Sequence, residues 1–290
     1  MPLPTPIFRM LRKLNLHRTT ELYFIGYPKT GNTWLRYMLG RYVQLLCGLA
    51  EIPLFDAADA WGRCELYCVG PAMQFTHRPL LWEKQRADDL TIDNVIRPFD
   101  RHRVVLLVRH PLDAIVSLWM QRRHRGKAGY DGTLADMLED PVLGIEKFFR
   151  FYTLWDGNRS RPRGLMVIRY EDLRADPRGA FMNLLDYLGI PIKEEAFERA
   201  VADSDFDNMK QMELSGSAPR YRSSGLNIFA TGDTSNIDAL HVRRGKVGGY
   251  HDYLGADEIT RLAERIAERL PQSLGYNADA RGMSQCGDKS

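Results

Sequence analysis

The sequence is short of the features that mark specialised chains. Four cysteines in 290 residues cannot build a disulfide framework. Cys64 and Cys68 lie four apart, but no second pair and no nearby His completes a zinc site. They read as ordinary reduced thiols, which favours a reducing, cytoplasmic setting. Long apolar runs are missing too. The stretch from Leu3 to Leu16 interleaves Ile7, Phe8, Met10, Leu11 and Leu14 with Arg9, Arg12 and Lys13. It is too short and too charged to span a bilayer, and it lacks the apolar centre of a signal peptide. Residues 1–18 are therefore expected to form a basic amphipathic arm, packed on the domain or lying against a membrane surface. Neither sign of charge dominates: 40 Lys and Arg face 37 Asp and Glu, a net of +3. That excludes a general nucleic-acid coat, so any anion site must come from local clustering. There is no internal repeat and no low-complexity linker, so one domain over 19–276 is expected, with 277–290 as a flexible tail.

What is present is alternation. Glu21–Gly26 (ELYFIG) is a short apolar run ending in glycine, the pattern of a strand. From Thr33 to Leu46, apolar residues recur at helical spacing. Arg103–Val108 (RVVLLV) is the continuous apolar run of a strand buried on both faces, and a helix over about Leu112–Arg122 follows. Leu165–Tyr170 is a further strand, followed by a helix around Gly179–Leu188 that stops at Gly189. Asp257–Leu270 reads as a surface helix. Ser215–Gly232 reads as a long mobile loop. Strands alternating with helices predict an α/β fold of the P-loop nucleotide-hydrolase type, a central parallel sheet flanked by helices.

Between the first strand and helix runs Gly26-Tyr-Pro-Lys-Thr-Gly31-Asn-Thr33. Two glycines five apart, with Thr33 at the end, give the outline of a phosphate-binding loop. Its backbone amides and the following helix N-terminus can cradle a phosphate. A nucleotide triphosphatase has Lys directly before the Ser/Thr. Here Asn32 stands there, and the lysine has moved to Lys29. No acidic residue ends a later strand to hold magnesium. The loop therefore suits a phosphate without a metal-bridged triphosphate.

Six ordered segments resemble the cytosolic-type sulfotransferases, which use 3′-phosphoadenosine 5′-phosphosulfate (PAPS) and release 3′-phosphoadenosine 5′-phosphate (PAP). They are Tyr27–Trp34; Thr76-His77-Arg-Pro79; Arg109-His-Pro-Leu-Asp113 with Ser117; Tyr170-Glu-Asp-Leu; Ser204–Lys210; and Arg243-Arg-Gly245 with Val247-Gly248. The resemblance covers about residues 20 to 255. It implies His77 as general base and Lys29 as the group stabilising the leaving phosphate. It implies a donor site made of Lys29, Thr30, Gly31, Asn32, Thr33, Trp34, Arg109, Ser117, Tyr170, Ser204, Phe206, Arg243, Arg244 and Gly245. Within it, Arg109, Ser117 and the Arg243–Gly245 segment would read the 3′-phosphate. Trp34 and Phe206 would sandwich the adenine, unless both are core aromatics. No metal is expected.

Three departures stand out: Phe75 where the family often has Lys, Gly249-Tyr250 where it has Asp-Trp, and Asn32 where it usually has Ser or Thr. The acceptor is unspecified beyond a hydroxyl on a small molecule, lipid or glycan. Candidate walls carry Phe55, Trp61, Trp82, Phe148, Phe149, Phe151, Tyr152 and Trp155. A basic run, Arg122 to Lys127, either steers an anionic acceptor or is a solvated loop. Two other readings remain open: a P-loop kinase or nucleotide hydrolase, and a PAP-binding protein without turnover.

Overall fold

The computed structural model describes residues 20–56, 69–77, 84–125, 129–221, 224–229 and 235–277. The expected N-terminal arm, Cys64 and Cys68, Trp61, Trp82, Pro79, Lys127 and residues 278–290 lie outside them. Asn277, placed in the tail by the sequence reading, is buried, and its amide donates to the carbonyls of Ala267 and Leu270 at 3.0 Å.

Four strands form one parallel sheet in the order β2-β1-β3-β4: β1 Leu22–Gly26, β2 Met73–Thr76, β3 Arg103–Val108 and β4 Gly164–Arg169. The helices that position the site are α1 Asn32–Cys47, α2 Pro111–His124, α3 Ile145–Gly157, α4 Tyr170–Ala175, α5 Pro177–Leu188, α6 Glu194–Asp203, α7 Phe206–Ser215 and α8 Ala256–Arg269. This is the expected P-loop-like α/β architecture. No helix among the described residues is long and apolar enough to cross a membrane.

The continuous apolar run of β3 explains the layering. Val104, Leu106 and Val108 face one core with α2, α3 and α8, while Val105 and Leu107 face the other with α1, α5 and α6. Side chains alternate across a strand, so only a strand covered on both faces needs apolar residues at every position. The aromatic residues of α3 belong to the first core. Phe148, Phe149, Phe151, Tyr152 and Trp155 are each at most 1% exposed, and Tyr27 packs on Phe148 with ring centroids 3.8 Å apart. They are not acceptor walls, because α3 lies on the sheet rather than at its end. Phe55 is likewise buried against Phe75. The segment expected as a free loop after Ser215 contributes Ala218, Ile228 and Phe229 to a third apolar cluster with Tyr37, Leu54 and Met209.

Candidate active site

Each strand delivers one residue of the predicted site where its carboxyl end leaves the sheet: the loop after Gly26, His77 after β2, Arg109 after β3 and Tyr170 after β4. Open parallel sheets bind their ligands at that edge. A cavity of about 240 Å³ lies there, and Lys29, His77, Arg109 and Tyr170 all line it.

The loop is held from inside. Thr30 Oγ1 donates to the carbonyl of Tyr27 at 2.8 Å and is buried, so Thr30 shapes the loop and does not line the cavity. Lys29 takes a left-handed φ of 72°, a conformation that costs a non-glycine residue about 1–2 kcal/mol. Gly31 has φ 98°, and a Cβ there would sit 2.9 Å from the Tyr170 ring. α1 then starts at Asn32 with no acidic residue in its first turn. Its free N–H groups and positive dipole end suit an anion. Gly31, Asn32, Thr33 and Trp34 all reach the cavity.

His77 continues the β1–β2 ladder by one residue, since Ile25 pairs with Thr76. Its Nδ1 lies 3.0 Å from the carbonyl oxygen of Gly26 and 3.5 Å from Asn32 Nδ2. The shorter contact is to an acceptor, so Nδ1 carries the proton and Nε2 presents a lone pair. The ring is open to the cavity, yet the protein packed around it desolvates the charged form. That lowers its pKa; the Gly26 carbonyl opposes the shift, and the charges of Arg36 and Lys29 add to it. Lys29 is pulled down to about 7, by burial first and then by Arg125 and Arg109, with Glu213 opposing.

A second cationic group also lines the cavity. Arg109 donates to the carbonyls of Lys29 at 3.2 Å and Lys246 at 3.4 Å, and its guanidinium stands 4.1 Å from the Tyr170 ring centre. Ser117 sits two turns along α2. Arg243, Arg244 and Gly245 close this side. Arg243 bonds the Tyr253 hydroxyl, and Arg244 pairs with Asp252 at 2.6 Å. Gly245 has φ 58°, and a Cβ there would meet the Phe206 ring at 2.5 Å. The departure at Gly249-Tyr250 is accommodated by stacking Tyr250 on His110, 4.9 Å between ring centres.

Trp34 and Phe206 both reach the cavity, and Arg174 bridges them at 5.5 Å and 5.8 Å from their ring centres. Trp34 Nε1 donates to the Ser204 carbonyl at 2.8 Å. The Ser204 side chain is fully buried, bonded to the Ala200 carbonyl, and does not line the cavity. Phe75 turns away from the cavity. It stacks on Phe24 at 4.0 Å, with the Arg36 guanidinium 4.8 Å from its ring centre, so a cation stands beside this position after all.

Four contributors were given no role by the sequence. Arg174 lines the cavity. Asp113, on α2, accepts from the N–H groups of Gly248 at 2.9 Å and Tyr250 at 3.1 Å, docking the C-terminal segment. Glu213, fully buried, accepts from the N–H groups of His241 and Val242 at 2.7 Å each. His241 lines the cavity, and Arg125, which read as part of a basic run, donates to it at 3.3 Å. Asp113 could be seen only as a motif residue; the other three gave no local pattern.

Comparison with known proteins bears on the family and the fold. A family model described as "Sulfotransferase domain" matches residues 19–274. Cytosolic sulfotransferase 17 of Arabidopsis thaliana is 22% identical over 282 residues, covering 87% of this chain and 75% of that protein. Sulfotransferase 2B1 of Mus musculus is 25% identical over 210 residues, covering 68% of this chain and 58% of that protein. Among solved structures, mouse sulfotransferase SULT7A1 complexed with PAP aligns with TM-score 0.61 at 18% identity, covering 96% of this chain and 94% of that one. A retinol dehydratase in complex with androsterone and inactive cofactor PAP aligns with TM-score 0.55 at 16% identity, covering 90% and 84%. At these identities the structural likeness speaks to the fold.

Proposed function

The chain belongs to the sulfotransferase-domain family, and from that premise we propose that it transfers a sulfuryl group from PAPS to a hydroxyl of a small-molecule, lipid or glycan acceptor. One observation carries the reading: Lys29 and His77 share a single cavity with Arg109, Ser117 and Arg243. A donor with phosphate on both sides of its adenosine needs two anion sites, and the lining supplies Lys29 for one and Arg109, Arg243 and Arg244 for the other. The residues fit such a donor. Arg109 Nε is buried without a partner among the described residues, as a guanidinium set to meet a phosphate would be. The solved neighbours that carry PAP support the same donor.

PAPS, when bound, supplies an activated sulfuryl group on its 5′-phosphate. Lys29 and the amides of Gly31, Asn32 and Thr33 hold that end, with Thr30 bracing the loop. Arg109, Ser117, Arg243, Arg244 and Gly245 read the 3′-phosphate. Trp34, Tyr170 and Phe206 flank the adenine, and Ser204 anchors Trp34 through its carbonyl. His77 Nε2 takes the proton from the acceptor hydroxyl as its oxygen bonds to sulfur. The bond from sulfur to the bridging oxygen breaks, and its electron pair leaves with PAP. Lys29 stabilises that developing charge. A neutral His77 suits the role, since its lowered pKa keeps Nε2 unprotonated near neutral pH.

Parallel calorimetric titrations with PAP and with ATP–magnesium test the donor; preference for ATP–magnesium would overturn the proposal. With labelled PAPS, His77→Ala should lose turnover by about 10²–10⁴-fold while keeping PAP affinity. Unchanged turnover would remove His77 as the base.

A further inference from the structure

The cavity holds a second imidazole whose tautomer is set by its neighbours. His241 lines the wall together with His77 and Lys29. Its Nδ1 lies 3.3 Å from Arg125 Nη1. A guanidinium only donates, so Nδ1 accepts and the ring proton sits on Nε2. Arg125 is itself bonded to the Phe229 carbonyl, and Glu213 holds the backbone at His241 and Val242. Burial, followed by the charges of Lys29, Arg125, Arg36 and His77, pushes the His241 pKa well below its ordinary value. The ring therefore stays neutral. None of the hydrogen bonds of the described residues uses its Nε2.

His77 is the reverse case, with Nδ1 donating and Nε2 accepting. The lining thus offers a lone pair to a hydroxyl at one ring and an N–H at the other. Among the described residues, the charged groups that act on the two rings are cations. Arg36 and Lys29 act on both imidazoles, and Arg125 acts on His241. Glu213, a carboxylate near His241, has both oxygens engaged by backbone amides. Arg109, Arg243 and Arg244 belong to the other anion site. Positive potential at His241 favours a negative group there. A neutral apolar alcohol would cover the Nε2–H without pairing it.

We propose that His241 is a specificity-determining residue whose Nε2–H binds an oxyanion, a carboxylate or phosphate group, carried by the acceptor beside the hydroxyl that reacts at His77. The inference rests on the sulfuryl-transfer reading and narrows its acceptor class. It turns the search away from sterol-like alcohols and toward hydroxylated acids and phosphates.

The test is calorimetric titration of the protein–PAP complex with 3- and 4-hydroxybenzoate against 3- and 4-methylphenol. Wild type, His241→Gln and His241→Phe are compared, each titrated first with PAP alone. Wild type should prefer a hydroxybenzoate by about 10- to 100-fold, the range of a hydrogen bond to a charged group. His241→Phe should lose that preference. His241→Gln, which keeps an N–H donor, should retain most of it, and PAP affinity should be equal in all three. Equal binding of acids and methylphenols, binding of neither, or a preference undiminished in His241→Phe overturns the inference and leaves the donor reading standing. Absence of PAP binding by the wild type overturns both. Should His241→Phe alone fail to bind PAP, the wild-type preference and its retention in His241→Gln decide the question.

Discussion

Replacing Asp113 with Asn preserves the shape of the side chain and removes its charge. In the native fold Asp113 is 3% exposed, accepts from the Gly248 and Tyr250 amides, and lies 3.9 Å from Arg109. These two bonds tie residues 248–250 to α2, and the preceding Arg243–Gly245 stretch closes the cavity. A hydrogen bond to a charged group contributes about 1.5–3 kcal/mol, and a neutral one about 1 kcal/mol. Asn keeps one neutral acceptor and turns an N–H toward the other amide, so the net loss is about 2–5 kcal/mol. Local opening of the segment absorbs that loss before the whole domain unfolds. Hydrogen exchange followed by peptide mass spectrometry should show residues 246–253 losing about 1.5 to 3.5 orders of magnitude of protection. The core strands should keep theirs. PAP affinity should fall with it, and adenosine 5′-phosphate affinity should fall less. Native exchange at Gly248 and Tyr250 in the Asn variant would refute the reasoning, because it would mean that the carboxylate does not hold the segment.

The acid limb of kcat/KM should lie below pH 6.5, because the active form of His77 is the unprotonated one and its pKa is lowered; a limb at or above 6.5 would contradict the desolvation argument. Lys29, at about 7 in the free protein, is largely uncharged at pH 8. PAP brings negative charge that restores the proton, so binding at pH 8 should take up a proton, seen as a calorimetric enthalpy that varies with buffer ionisation enthalpy. Identical enthalpies in two such buffers would remove Lys29 from the phosphate contact. Gly245→Ala places a methyl against the Phe206 ring and strains a left-handed backbone by about 1–2 kcal/mol. Its PAP affinity should drop by about tenfold or more with thermal stability little changed, and wild-type affinity would show that Gly245 and Phe206 are not in contact.

The fold was legible where burial is written into local pattern. The β3 run was found to the residue, because a strand covered on both faces cannot hide its apolarity. Gly189 was readable as the stop of α5, and it caps that helix in the left-handed region. α6 and α7, short and separated by two residues, were not read as helices, since ten residues give little period to detect. Asp113 and Glu213 were opaque for a different reason. A carboxylate in a helix looks solvated until the chain returns, 135 and 28 residues later, with amides to meet it. The α3 aromatics show the converse error. Their composition suits a ligand wall as well as a core, and only the placement of α3 on the sheet decides. His241 shares that opacity, because its tautomer depends on Arg125, 116 positions away.

The contact between His77 Nδ1 and the Gly26 carbonyl makes proton chemistry a matter of strand alignment. Both groups lie one step past the last paired residues of β1 and β2, Ile25 and Thr76. A slip of one residue would turn every β2 side chain to the opposite face and carry the imidazole away from the carbonyl that orients it. The stacked rings of Phe24 and Phe75, 4.0 Å apart and 3° from parallel, pin that alignment from inside the core. A residue that never meets a ligand therefore helps decide which nitrogen of the base is free, and β2 cannot be exchanged for an edge strand of different pairing without rewriting the site.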